Sequence, residues 1–211
     1  MRSGKFITFE GGDGVGKTTQ VKLLMKYLLG RGIRTKITRE PGGDAIGEKI
    51  RELLKNSKNI DSMCEALLFC AARRSHYMNL IKPLLEEGYF VISDRFYDSS
   101  LVYQGILKGV SPKKIMQLKD LSIGGFEPDL TFILDIAPEV AVQRMSFRNF
   151  LFDEYDKMQI TQHESVQKGF RKIAEIFSDR AVLINARGPK EKVFTKIIKV
   201  FKSKFPNLEQ I

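Results

Sequence analysis

Runs of apolar and β-branched residues recur at five places along the chain: Phe6–Glu10, Thr35–Arg39, Tyr89–Asp94, Leu130–Ile136 and Ala181–Asn185. Each run is nearly continuous rather than alternating, which predicts strands covered on both faces, as in a parallel sheet. Between the runs, apolar positions fall three and four apart, as at Val21, Leu24 and Leu28 and again at Ile115, Leu118 and Leu121. That period predicts amphipathic helices. Strand and helix alternate, so the expected fold is α/β, with a five-stranded, mainly parallel sheet flanked by helices. Glycine and proline mark the predicted junctions at Gly30 and Gly32, Pro41 to Gly43, Gly124 and Gly125, Pro128, Pro138, and Gly188 to Pro189.

The chain has 211 residues, 43% of them hydrophobic and 28% charged, which suits one globular domain spanning 1–211. Lys and Arg number 35 against 25 Asp and Glu, a formal net charge of +10. Such a surface draws anions. The excess is spread along the chain in ordinary helical positions such as Lys113, Lys114, Lys196 and Lys199, a solvated basic surface rather than a dedicated nucleic-acid patch. Cys64 and Cys70 have no CxxC spacing, and His76 and His163 sit in no recognisable ligand array, so neither a disulfide framework nor a protein-built zinc site is expected. No apolar run approaches the roughly 18 residues of a membrane span. A strand follows Met1 with no apolar signal region between them, so a cytoplasmic protein with no membrane partner is expected.

The strongest chemical signal follows the first strand: Gly11, Gly12, Asp13, Gly14, Val15, Gly16, Lys17, Thr18, the Gly-x4-Gly-Lys-Thr spacing of a phosphate-binding loop. A glycine-dense loop lets successive backbone N–H groups turn inward around phosphate oxygens, and the following helix offers its positive end. Lys17 would then reach the β- and γ-phosphates of ATP, and the Thr18 hydroxyl would ligate Mg²⁺. Asp94 closes the third apolar run. A carboxylate there either caps a turn or holds a water on Mg²⁺, and the phosphate loop upstream favours the second role.

A phosphate loop also fits GTPases, motor ATPases and DNA-processing ATPases, although a guanine-reading Asn-Lys-x-Asp is absent. The remaining motifs decide. Phe9-Glu10-Gly11, Thr38-Arg39-Glu40-Pro41-Gly42-Gly43, Phe69 to Arg73, Asp94-Arg95, Ser99 to Gln104 and Pro128-Asp129-Leu130-Thr131 run in order over nearly the whole chain. Together they resemble the thymidylate kinases. The resemblance implies phosphoryl transfer from Mg-ATP to dTMP, strand order 2-3-1-4-5, and a homodimer.

It also implies roles for individual residues. Arg39, with Arg51 as helper, would shape the acceptor-phosphate pocket, and Arg95 would grip that phosphate with its planar fork of donors. Phe69 and Arg73 are four apart in a predicted helix, so the ring can stack on thymine while the guanidinium donates to its O4. Without the resemblance, an aromatic beside Leu67 and Leu68 reads first as core packing. Ser100, Tyr103 and Gln104 would surround base and sugar, Gln104 pairing with the imide edge and Tyr103 crowding a ribose 2′-hydroxyl. Asp13 would lie close to the acceptor sugar and the transferring phosphate, which with Lys17 and Arg95 places it among the catalytic residues.

Phosphoryl transfer also needs an arginine near the leaving bridge. Some thymidylate kinases place that arginine in the phosphate loop and others in a lid after the fourth strand; Gly14 and Val15 rule out the first arrangement, so the resemblance implies a lid over about 144–159. That segment, Phe147-Arg148-Asn149-Phe150-Leu151-Phe152-Asp153-Glu154-Tyr155-Asp156, departs from the arginine-rich pattern of the family, with Glu154 where an arginine is common. Arg148 is the candidate catalytic arginine and Arg144 the second. Two competing functions remain: another nucleoside monophosphate or deoxynucleoside kinase, which Arg73 and Gln104 discriminate, and an ATP-driven DNA-binding module. Sensor motifs for the latter are not found, so nucleic acid is not an expected partner.

Overall fold

The structure, a computed structural model, describes residues 4–146 and 158–206. Five strands, β1 (Lys5–Glu10), β2 (Thr35–Arg39), β3 (Phe90–Asp94), β4 (Leu130–Asp135) and β5 (Ala181–Asn185), form one sheet in the order β2-β3-β1-β4-β5. Every neighbouring pair is parallel. The α/β class and the strand order expected above are both found. The strand that opens into the phosphate loop is central, and Phe9 at its end stands opposite Asp94 of β3.

The described helices are α1 (Lys17–Leu29), α2 (Ala45–Asn56), α3 (Ser62–His76), α4 (Lys82–Glu86), α5 (Tyr97–Ser100), α6 (Pro112–Ile123), α7 (Pro138–Ser146), α8 (Ile160–Ile176) and α9 (Lys190–Lys204). A π-helical turn, Tyr77–Ile81, joins α3 to α4, and a longer π-helix, Leu101–Leu107, continues α5. Hydrophobic periodicity does not announce either one.

Alternation along the strands sorts the core into two layers. Ile7 and Phe9 of β1, Ile92 of β3, and Phe132 and Leu134 of β4 pack with α1 and α9 through Val21, Leu24, Leu28, Ile197 and Phe201. On the other face Phe6, Val91 and Ile133 meet Ile81, Phe96, Val102, Ile115 and Phe170. Toward the carboxyl ends of β1 and β3 this second face turns polar, with Thr8, Glu10 and Ser93 wholly buried, and buried Thr131 of β4 stands beside Thr8. The phosphate loop and Arg95 gather over that polar edge.

Two local expectations differ. Covering on both faces holds for β1, β3 and β4, whereas the edge strands β2 and β5 are only half covered, because among the described residues no strand continues the sheet beyond them. In α6, Ile115 is buried but Leu121 is 79% exposed, and Lys119 and Ser122 turn inward instead. Leu121 lies about 120° around the helix from Ile115, off the buried stripe.

A buried ion pair fixes where α5 starts. Arg180, just before β5, donates to both carboxylate oxygens of Asp98 at 2.8 Å and to Thr131 Oγ1 at 2.9 Å. The bidentate geometry ties α5 and its π-helical continuation to the far side of the sheet.

Candidate active site

β1 ends at Glu10, and the chain turns through Gly11–Gly16 into α1. Two of these glycines are dictated by contact. A Cβ on Gly14, whose φ is +77°, would stand 2.3 Å from the Ala141 carbonyl oxygen, and one on Gly11, φ +129°, would stand 2.5 Å from that of Leu134. Only glycine combines that conformation with so close an approach. The loop is thus wedged against β4 and α7.

Lys17 opens α1 and is buried, its ammonium 3.0 Å from the Gly11 carbonyl oxygen and 2.7 Å from that of Gly12. Burial and the neighbouring Arg95 pull its pKa down to about 8. The next residue, Thr18, donates its hydroxyl to Asp94 Oδ2 at 2.6 Å. A hydroxyl beside a carboxylate is a hard-oxygen pair that suits Mg²⁺, with phosphate and water completing its shell. Among the described residues no group of three or more His, Cys, Asp or Glu side chains could hold a metal unaided.

Asp13 lies between three partners: Arg95 at 2.5 Å, Lys17 at 3.8 Å and the Tyr103 hydroxyl at 3.2 Å. Desolvation opposes its ionisation, but Arg95 and Lys17 outweigh it and hold the carboxyl down at about 2. The Arg95 guanidinium also donates to the Gly11 carbonyl at 3.0 Å and to Ser99 Oγ at 3.1 Å. Arg95 adopts φ 74°, a left-handed conformation uncommon for a side-chain-bearing residue. It is locked there from both sides: its N–H bonds the Phe9 carbonyl at 2.9 Å, and its carbonyl accepts from Ser93 Oγ at 2.7 Å.

Glu10 completes the lock. Its wholly buried carboxylate accepts from the Phe96 N–H at 2.7 Å and from Ser99 Oγ at 2.6 Å, gripping the chain on the far side of Arg95. Burial, with Asp98 nearby, pushes its pKa up to about 8.

A second cluster lies on α3. Arg73, 3% exposed, donates from Nε to Glu40 Oε2 at 2.8 Å and from Nη2 to Ser100 Oγ at 3.1 Å. Glu40 is itself buried beyond the end of β2, and its other oxygen meets His76 Nδ1 at 3.1 Å. His76 Nε2 lies 2.6 Å from Thr38 Oγ1. Phe69, one turn before Arg73, is half-buried and belongs to neither core layer. Gln104 Nε2 donates to Glu65 Oε1 at 2.7 Å.

Other candidates stand at the margin. Arg39 is exposed and pairs with Glu48 of α2 at 2.8 Å, and Arg51 donates to the Pro41 carbonyl at 3.1 Å. Arg144, near the end of α7, lies 3.5 Å from the Ala186 carbonyl oxygen. Arg148 and Glu154 lie outside the described residues.

The sequence model of the thymidylate kinase family matches residues 9–197, which runs from the end of β1 into α9. The chain belongs to the thymidylate kinase family. A thymidylate kinase of Clostridium novyi is 42% identical over 200 residues, covering 93% of this chain and 98% of that protein. One from Lactobacillus helveticus is 40% identical over 210 residues, covering 97% and 99%. The crystal structure of thymidylate kinase from Ehrlichia chaffeensis superposes with a TM-score of 0.76 at 36% identity, covering 94% of this chain and 99% of that one.

Two acidic residues of this thymidylate kinase fold carry roles that motif spacing does not assign. Glu10 and Glu40 stand inside recognisable motifs without an evident task, yet each is a buried acid, Glu40 holding Arg73 and Glu10 the chain beyond Arg95. For Glu10 a signal was present, since it ends an apolar strand sequence immediately before Gly11, where an unpaired buried carboxyl would be costly; Glu40 follows the polar pair Thr38-Arg39 and carried none.

Proposed function

We propose that this chain transfers the γ-phosphoryl group of Mg-ATP to dTMP, giving dTDP and ADP for dTTP synthesis. The observation that carries the reading is the position of Arg95. Its guanidinium bonds Gly11 and Asp13 of the phosphate loop, while Ser99 and Tyr103, its other partners, belong to the helix that carries Ser100 and Gln104. A group held there faces donor and acceptor at once.

On this reading the loop from Gly11 to Thr18 cradles ATP, and Lys17 neutralises charge on the transferring phosphoryl group. Thr18, and Asp94 through a water, would hold Mg²⁺, which would supply charge neutralisation to the phosphates during transfer. Arg95 grips the acceptor phosphate, with Arg39 and Arg51 shaping the pocket around the Pro41–Gly43 turn. Phe69 stacks on thymine, Arg73 donates to O4, Gln104 pairs with the imide N3–H, and Ser100 and Tyr103 border base and sugar. Asp13 orients Arg95 and Lys17 and stands near the acceptor sugar.

The acceptor phosphate oxygen attacks in line, and because that oxygen is already anionic no strong general base is required. A lid over 144–159, with Arg148 as the charge-stabilising arginine, closes the site and excludes water. The catalytic unit is one domain over 1–211, acting as a cytoplasmic homodimer with neither nucleic acid nor membrane as partner. Among the described residues no helix is long and apolar enough to cross a membrane. Light scattering that gave a monomer mass at working concentration would remove the dimer.

The test is ADP release with Mg-ATP and, separately, dTMP, dUMP, dCMP, AMP, GMP, thymidine or single-stranded DNA. Turnover selective for dTMP is expected. Preference for another monophosphate would discard the base-site assignment, and stimulation by DNA alone would overturn the function.

A further inference from the structure

α3 faces the π-helix through two buried polar rungs. Arg73 meets Ser100, and two turns earlier on α3 Glu65 meets Gln104. Phe69 lies midway between Arg73 and Glu65 on the same helical face. Glu65 is 4% exposed and Gln104 1%.

Glu65 is therefore well placed to act through Gln104. A carboxylate accepts hydrogen bonds and cannot donate them. The Lys108 ammonium pairs with Oε2 of Glu65, and Oε1 takes the amide of Gln104 at 2.7 Å. Turning that amide over would set its carbonyl oxygen against a carboxylate oxygen at the same distance, in a site closed to water. The reversed amide would forfeit a buried hydrogen bond and press two partial negative charges together. The nitrogen of Gln104 is thus committed to Glu65, and its carbonyl oxygen is directed to the opposite side of the group.

We propose that Glu65 sets the base preference of the acceptor site by fixing which end of the Gln104 amide meets the base. The inference rests on the reading that Gln104 contacts the pyrimidine imide edge. A carbonyl oxygen suits thymine or uracil, whose N3 carries a hydrogen. Cytosine presents a bare N3 acceptor there and an amine, rather than an oxygen, to Arg73. An amide free to turn would offer its NH₂ group to cytosine and blunt the distinction. Glu65 is a positioning residue, remote from the reacting atoms.

The test compares dissociation constants for dTMP and dCMP in the wild type, Glu65→Gln, Glu65→Met, Gln104→Ala and the Glu65→Gln/Gln104→Ala double variant, each checked for folding by thermal melting. Glu65→Gln keeps the shape but lets the pair reverse, and Glu65→Met removes the partner altogether. Both are expected to lose roughly 10- to 100-fold of the dTMP preference, with the loss falling on KM for dTMP rather than on kcat. The double variant should lose no more than Gln104→Ala alone, since Glu65 acts only through that amide. A preference within about twofold of wild type in the folded Glu65 variants, beside a relaxed Gln104→Ala, would overturn the proposal alone, as would additive losses in the double variant. Unchanged preference in Gln104→Ala would instead remove the base reading on which it stands.

Discussion

The Thr18 hydroxyl donates to Asp94 Oδ2 at 2.6 Å, across 76 residues of sequence. Parallel pairing of β1 with β3 creates the contact, because Phe9 and Asp94 stand opposite each other where both strands end. Asp94→Asn keeps the shape and removes the charge that would hold water on the metal. The Mg²⁺ concentration giving half-maximal activity is expected to rise roughly 10- to 100-fold, read from a metal titration at saturating ATP and dTMP. An unchanged titration would confine Asp94 to a helix-pinning role.

Glu10 makes stability depend on pH in a direction opposite to an ordinary salt-bridged carboxylate. Its pKa rises from 4.5 to about 8 on folding, so the folded chain keeps a proton that the unfolded chain releases. Its contribution is full below about pH 4.5 and is lost as pH rises through about 8. Glu10→Gln cannot titrate. The melting temperature of the variant relative to wild type should climb across that window; a difference that stayed flat would place the proton elsewhere.

Arg73 and Glu40 form a buried pair, 3% and 5% exposed. Arg73→Ala leaves Glu40 buried, with His76 as its remaining partner among the described side chains, so a loss of about 3–5 kcal/mol in folding stability is expected. Chemical denaturation checks that figure. In whatever fraction folds, KM for dTMP should rise far more than KM for ATP; equal rises would detach Arg73 from the acceptor.

The lid assignment separates two arginines. Arg148→Ala is expected to cut kcat by roughly 10³-fold or more, the scale of a transition-state arginine, with little change in dTMP or ATP binding. Arg144→Ala should have a small effect, since its side chain lies toward the Ala186 carbonyl just beyond β5. Single-turnover kinetics distinguish the two, and normal turnover by Arg148→Ala would move the role to another residue.

The strands and their order were legible because each apolar run is compact and bounded by glycine or proline, and the phosphate loop was legible because its spacing is dictated by backbone geometry. Asp94 could be placed beside the loop once the order 2-3-1-4-5 was assumed. The buried acids were harder. Glu40, Glu65 and Glu10 reach their partners across 33, 39 and 86 residues, respectively, and no local period encodes such distances. The π-helix over Leu101–Leu107 was also hidden, because its residues read as an ordinary apolar helix until hydrogen-bond spacing is seen. Leu121 misled for a simpler reason: three- and four-residue spacing marks a stripe, but a stripe about 120° wide includes positions that neighbours do not cover.

The left-handed backbone at Arg95 has a consequence for anyone redesigning this enzyme. Judged by backbone preference alone, position 95 calls for glycine, which adopts φ 74° without strain. The side chain outweighs that preference: glycine at 95 would strip Asp13, the Gly11 carbonyl and Ser99 of their shared donor, a larger loss than the strain it relieves. Screens for heat resistance should therefore retain Arg95 unprompted, because tolerance of heat and the role proposed for this side chain ask for the same residue.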